Sequence, residues 1–251
     1  MKQHVLSLSY GKDSLACLGA IEKLGWPLDR IVHSEVMATQ DIPADLPPMV
    51  EFKKKADAII KERWGIEVEH ITSGKTFEGV FYKKKNDRSK WPGVIYGWPN
   101  SLARWCTSRL KTTVLKKIDA VYYLGIAADE PKRLERLDGI NVVSPLAALN
   151  WTEADCRKWC KQNDLLSPIY SNLARAGCWF CPNQSVDSLR RLRNEYPQLW
   201  NLMLKWDNDS QLTFRQDGHT VHDYDKRFKL EDAKLVPKDQ RFRWRMIESE
   251  E

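Results

Sequence analysis

The segment Ser9-Tyr10-Gly11-Lys12-Asp13-Ser14 joins an apolar run to an amphipathic one, and this junction constrains the chain more than any other stretch. His4 through Leu8 has the length and apolarity of a short buried strand. Leu15, Leu18, Ala20, Ile21 and Leu24 then recur at helical spacing until Gly25 and Pro27 stop the helix. A small glycine-containing turn at such a junction aims several backbone N–H groups at one point, at the positive end of the helix dipole. That arrangement binds phosphate. Lys12 adds a point charge, and Ser9 and Ser14 add hydroxyls. The segment fits neither the Walker A pattern nor G-x-G-x-x-G. Asp13 and Ser14 also suit a helix N-cap, so the plain alternative is a strand–turn–helix that holds no ligand.

The pattern around this junction alternates strand and helix. Arg30–Ser34 reads as a second strand. A helix is predicted from about Pro48 to Trp64 with Gly65 as its stop, and Ile66–Ile71 as a third strand. Residues 72–100 read as an excursion over the face that carries the phosphate loop. A helix is expected from about Leu102 to Ile118, then strands at Val121–Ile126 and Asn141–Ser144. This βαβ rhythm predicts an α/β, doubly wound, mostly parallel sheet over residues 1–150, with ligands at the carboxyl ends of its strands. Residues 151–251 read as a smaller helical, cysteine-containing region with helices at Thr152–Asn163 and Ser185–Trp206, the latter interrupted at Pro197.

No apolar run approaches the roughly 20 residues that cross a bilayer, and the N-terminus enters a strand at once. A cytoplasmic protein is expected, without membrane association. The net charge of +6 favours a polyanionic partner. It is concentrated in Lys83-Lys84-Lys85 with Arg88 and Lys90, and in the tail Arg241-Phe242-Arg243-Trp244-Arg245. The tail interleaves cations with aromatics, as single-stranded nucleic-acid surfaces do, although a tail packed on the protein body explains it equally well. Most of the 11 tryptophans are expected to fill core positions.

Six cysteines in such a compartment suggest metal or redox chemistry before disulfides. Cys17 reads as a small buried hydrophobe, and Cys156 and Cys160 as the core face of a helix. Gly177-Cys178-Trp179-Phe180-Cys181-Pro182 differs, because a C-x-x-C bracketed by Gly and Pro turns two thiolates toward one ion or cluster. Cys106 is the candidate third ligand. Three cysteines suit an iron–sulfur cluster with one open iron, or zinc completed by Cys160 or a histidine. A redox dithiol at Cys178 and Cys181 is a third choice.

The phosphate loop is followed in order by Arg104-Trp105-Cys106 with Arg109 and Lys111, by Gly125-Ile126-Ala127-Ala128-Asp129-Glu130 with Arg133, by Pro145-Leu146, by Trp151-Thr152-Glu153-Ala154-Asp155 with Trp159, by Ser167-Pro168-Ile169-Tyr170, and by the Gly-Cys-x-x-Cys knuckle. This ordered set, over about residues 4–182, resembles the phosphoadenosine phosphosulfate (PAPS) reductase family, including its PP-loop ATP pyrophosphatases. The resemblance implies an adenine nucleotide alpha-hydrolase-like domain and a 4Fe-4S cluster on Cys106, Cys178 and Cys181. Ser9, Tyr10, Gly11, Lys12, Asp13, Ser14 and Glu130 would bind ATP with Mg²⁺. Lys12, Asp13, Arg109, Lys111 and Arg133 would carry the chemistry.

Three departures bear on the reaction. The last cysteine is Cys181, whereas sulfonucleotide reductases carry a nucleophilic cysteine in the C-terminal tail. Trp105-Cys106 stands where those reductases tend to have paired cysteines, and Ala127 where the family has its first arginine. The expected activity is therefore cleavage of ATP to an adenylate and pyrophosphate, activating an acceptor for sulfur transfer, such as thiolation of a nucleic acid or phosphorothioation of DNA. A sulfur donor such as a cysteine desulfurase and a homodimer are the partners to look for. Two alternatives are a sulfonucleotide reductase that uses another thiol, and a non-catalytic, zinc-stapled nucleotide- or nucleic-acid-binding protein.

Overall fold

The first apolar run forms β1 (Gln3–Leu8), whose Val5, Leu6 and Leu8 are buried. In a computed structural model, residues 2–100, 104–137, 141–171, 177–238 and 242–245 are described. β1 pairs with β2 (Arg30–Met37) on one side and β4 (Ala120–Tyr123) on the other; β3 (Val68–Thr76) and β5 (Val142–Val143) complete the sheet. The order β3-β2-β1-β4-β5 is parallel throughout. The protein is thus α/β with a five-stranded parallel sheet, and its strand order reverses direction at β1.

Helix α1 (Lys12–Leu24) ends at Gly25, whose φ of 63° supplies the left-handed C-cap. α2 (Pro47–Trp64) follows β2. After β3 come α3 (Phe77–Phe81), a π-helical turn (Thr107–Thr112), α4 (Thr113–Leu115), and, beyond β4, α5 (Pro131–Leu134). α6 (Pro145–Ala148) and α7 (Glu153–Gln162) lie C-terminal to β5, and α8 (Val186–Glu195), α9 (Pro197–Asp209) and α10 (Val221–Asp232) follow.

Several expected boundaries change. The helix predicted over Leu102–Ile118 is instead the π-helical turn and α4; Leu102 lies outside the described residues. The Thr112 and Thr113 hydroxyls bond the Thr107 and Ser108 carbonyls at 3.1 and 2.5 Å, competing with the α-helical ladder. β2 runs on to Met37 and β3 begins at Val68 and runs on to Thr76, whereas Leu124–Ile126 lie beyond β4. Pro197 starts a separate helix rather than interrupting one, as its missing N–H allows at a first turn. α10 has no counterpart in the sequence reading.

The chain forms two compact units, residues 1–77 with 107–178 and residues 78–106 with 179–251. These differ from a division at residue 150, because α7 belongs to the first unit. Gly19 of α1 lets Trp159 of α7 approach so closely that a Cβ there would stand 2.3 Å from the indole. Cys17, Cys156 and Cys160 are fully buried in this core, as expected.

In the second unit, Trp98, Trp206 and Phe214 are buried, and Trp179 stacks on Trp206 at 5.6 Å. The buried Glu231 carboxylate accepts from Arg190 and Arg227, 2.6 and 2.7 Å away. Tail aromatics serve packing: Trp244 stacks on His219 at 3.6 Å, and the Arg227 guanidinium covers the Phe242 ring. Arg243 and Arg245 are exposed; Arg241 lies outside the described residues.

Candidate functional site

The β1–α1 loop lies at the carboxyl end of the central strand, where the strand order reverses. In open parallel sheets this is where crevices form and ligands bind. The Ser9 amide donates to Ser14 Oγ at 3.1 Å, and Ser14 Oγ also lies 2.9 Å from Ser9 Oγ and donates to the Gly11 carbonyl. The two hydroxyls therefore brace the turn. Gly11 is the N-cap, with no side-chain cap, so neither Asp13 nor Ser14 plays the capping role the plain alternative assigns them. Gly125, just after β4, fits against the same turn so tightly that a Cβ would lie 2.5 Å from the Ser14 amide nitrogen. The Lys12 amide donates to Tyr170 Oη at 3.1 Å.

Charged groups gather at this helix start. Lys12 Nζ donates to Asp13 Oδ1 and Glu153 Oε2, each at 2.7 Å. The Glu153 amide donates to Asp129, and Arg133 donates to both oxygens of Glu130 at 2.6 and 2.8 Å. Burial raises the Asp13 carboxyl above its usual range, against the pull of Lys12; Glu153 and Glu130 push the same way. Lys12 is raised in turn: burial opposes its charge, but Asp13 and Glu153 outweigh it. The surroundings thus disfavour the charged form of the Asp13 carboxyl. Asp13, Asp129, Glu130 and Glu153 bring carboxylate oxygens to this end of the sheet, but no three of them lie within 4.8 Å of one another.

Of the remaining expected residues, Arg109 is half-buried and Lys111 exposed on the π-helical turn, a distortion frequent at functional sites. Cys178 closes the first unit, and Cys106 and Cys181 belong to the second; all three thiols are partly exposed. Trp179 and Phe180 between the knuckle cysteines are buried. Cys160 is corrected as a zinc ligand. Its thiol donates to the Lys12 carbonyl at 3.1 Å, and burial pushes it up to about 12.

A second cluster escaped the sequence reading. Tyr10, with φ of 55°, turns its ring into the core, where its hydroxyl donates to Asp57 and lies 3.0 Å from His70 Nε2. His70 faces His33 across β3 and β2, and Glu35 shares the His33 face two residues on. Lys53 Nζ, buried, lies 2.9 Å from His33 Nε2, 3.0 Å from Glu35 Oε1 and 2.6 Å from Asp45 Oδ2. Burial favours the neutral Glu35 carboxyl, but His33 and Lys53 outweigh it and hold it well below the carboxylate range. A lone histidine in an apolar strand was the available signal. The pairing of His33 with His70 depends on strand register, which no local pattern carries.

No family model matches the chain. An uncharacterized protein of Methanocaldococcus jannaschii is 26% identical over 229 residues, which cover 82% of this chain and 41% of that protein. A second uncharacterized protein of the same organism is 28% identical over 124 residues, 44% of this chain and 29% of the relative. The chain thus spans less than half the length of either relative. Among the described residues, no helix is long and apolar enough to cross a membrane.

Proposed function

We propose that the first unit is an adenine nucleotide alpha-hydrolase-like domain and that the chain is a PAPS reductase-family ATP pyrophosphatase. The observation that carries this reading is the braced, glycine-capped Ser9–Ser14 loop at the carboxyl end of the central strand, with Lys12 between two carboxylates, Asp13 and Glu153. The first-turn amides and Lys12 would hold the β- and γ-phosphates of ATP, and an acceptor would attack the α-phosphorus as the α–β bond breaks and pyrophosphate leaves. One or two of Asp13, Glu130 and Glu153 would hold Mg²⁺, which neutralises charge on the departing pyrophosphate. Lys12 releases one of its two carboxylates when it turns to phosphate. Arg109, Lys111 and Arg133 are the proposed anion clamps; Arg133 is oriented by Glu130.

Cys106, Cys178 and Cys181 are the proposed ligands of a 4Fe-4S cluster. Their partly exposed thiols and the buried rings between two of them suit a soft metal centre with a dry floor. Bound there, the cluster supplies sulfur-transfer chemistry. The proposed acceptor is a nucleic acid, for which the positive charge of the chain speaks, with a cysteine desulfurase-type donor.

Purified protein given ATP, Mg²⁺ and candidate acceptors tests this reading through released pyrophosphate. Lys12→Ala is expected to lower release by roughly 100-fold or more, the scale of losing a charge contact made in the transition state. Unchanged release from that variant removes the loop from the mechanism.

A further inference from the structure

We propose that His33, Glu35 and His70 form a binding site for a divalent transition-metal ion of the zinc class, behind the phosphate loop and separate from the cysteine ligands. Their donor atoms all lie within 4.8 Å of one another. The two closest edges, His33 Nε2 to Glu35 Oε2 and His70 Nδ1 to Glu35 Oε2, measure 3.4 and 3.3 Å. A tetrahedral ion with bonds of about 2.1 Å has ligand–ligand edges of about 3.4 Å.

The outer contacts of the histidines set which nitrogen is left to bind. His33 Nδ1 lies 2.9 Å from the Leu8 carbonyl and must donate to it, so Nε2 is the nitrogen left for the cluster: protonated it pairs with Glu35, and once that proton is displaced its lone pair can bind an ion. His70 Nε2 lies 2.9 Å from Asp57 Oδ2 and Nδ1 3.3 Å from Glu35 Oε2; with the ring proton on Nε2 toward Asp57, the Nδ1 lone pair is turned to Glu35 and to an ion there. A carbonyl behind one histidine and a carboxylate behind the other are the partners that orient metal-bound imidazoles.

Charge points the same way. Glu35, Asp45 and Asp57 bring three negative charges, and Lys53 returns one positive. The remainder, two negative charges, is what a divalent cation would neutralise. The Lys53 ammonium now lies on His33 Nε2 and Glu35, so it competes with the ion; it keeps Asp45 when the ion enters. His70 is exposed and Glu35 half-buried, which leaves a route from solvent.

The test uses the full chain carrying Cys178→Ser and Cys181→Ser, titrated with Co²⁺ alone and no nucleotide. One equivalent is expected to bind with visible bands and without the near-ultraviolet charge transfer that marks thiolate ligands. Adding His70→Ala, at an exposed position, is expected to weaken binding by roughly 100-fold or more, and Asp57→Asn by about 10–100-fold. Lys53→Met is expected to tighten it by roughly tenfold, because it removes a competing charge from the ligand atoms. No Co²⁺ binding even with Lys53→Met, or unchanged affinity in the His70→Ala protein, overturns the proposal. Nucleotide plays no part in the titration, so a failed ATP assay and a failed metal site give separate results.

Discussion

At the scale of single residues, the Ser9–Ser14 loop depends on what is absent as much as on what is present. Gly125 has no side chain where a Cβ would meet the Ser14 nitrogen at 2.5 Å and the Asp13 carbonyl carbon at 2.6 Å. These are backbone atoms, so no rotamer change relieves the clash. Gly125→Ala is expected to cost about 1–3 kcal/mol in urea unfolding, and, if the loop holds nucleotide as proposed, to lower that affinity by moving the first turn. Full stability in that variant refutes the close approach. Glu231 makes the opposite case, a charge that depends on its partners. Its side chain is fully buried between Arg190 and Arg227, and Glu231→Gln takes from Arg227 its acidic partner and leaves Arg190 with Asp187 alone. A loss of about 3–5 kcal/mol is expected, the usual cost of breaking a buried pair from one side.

At the scale of elements, capping decides where α7 begins. The Thr152 side chain accepts from the Asp155 amide, and Asp155 bonds back to the Thr152 amide, so two orphan donors are satisfied by each other. Thr152→Ala is expected to cost about 1 kcal/mol, read as a lowered midpoint of thermal unfolding. Because Glu153 is the next residue, the same substitution frays the helix end that presents a carboxylate to Lys12. This element was legible in the sequence, as was the strand–loop–helix at Ser9–Ser14, because caps, glycine stops and apolar period are local signals. The π-helical turn was not, since threonine hydroxyls that bond back to carbonyls leave the apolar period of a helix unchanged. Nor was the His33–His70 pairing, which exists only through strand register. The carboxylates near Lys12 were half-visible: Asp13, Glu130 and Glu153 all stand in motif segments, but Glu153 reaches the loop only because α7 packs on α1, which no local pattern carries.

At the scale of the whole molecule, both units carry carboxylates held down by cations. Burial raises Glu35, Asp225 and Glu231, but Lys53 with His33, Lys229 with Trp200 and Arg193, and Arg190 with Arg227 outweigh it, so all three are lowered. A carboxylate lowered by folding adds stability that is complete above its unfolded value, near 4.5 for Glu35 and Glu231 and 3.8 for Asp225. That stability is lost as the pH falls through the lowered folded values. Unfolding free energy is therefore expected to hold through neutral pH and to fall below about pH 4.5, with a shallower fall in Glu231→Gln; circular dichroism at graded pH measures both. The position of β1 in the middle of the sheet has its own consequence for a chain leaving the ribosome. β1, β2 and β3 emerge in succession and can pair, yet the other edge of β1 waits until the excursion through residues 78–106 has been synthesised and Ala120–Tyr123 follows. Until then an open row of amides and carbonyls borders the Ser9–Ser14 loop, available to any stray strand. The nascent half-sheet is the stage at which this protein most needs shelter.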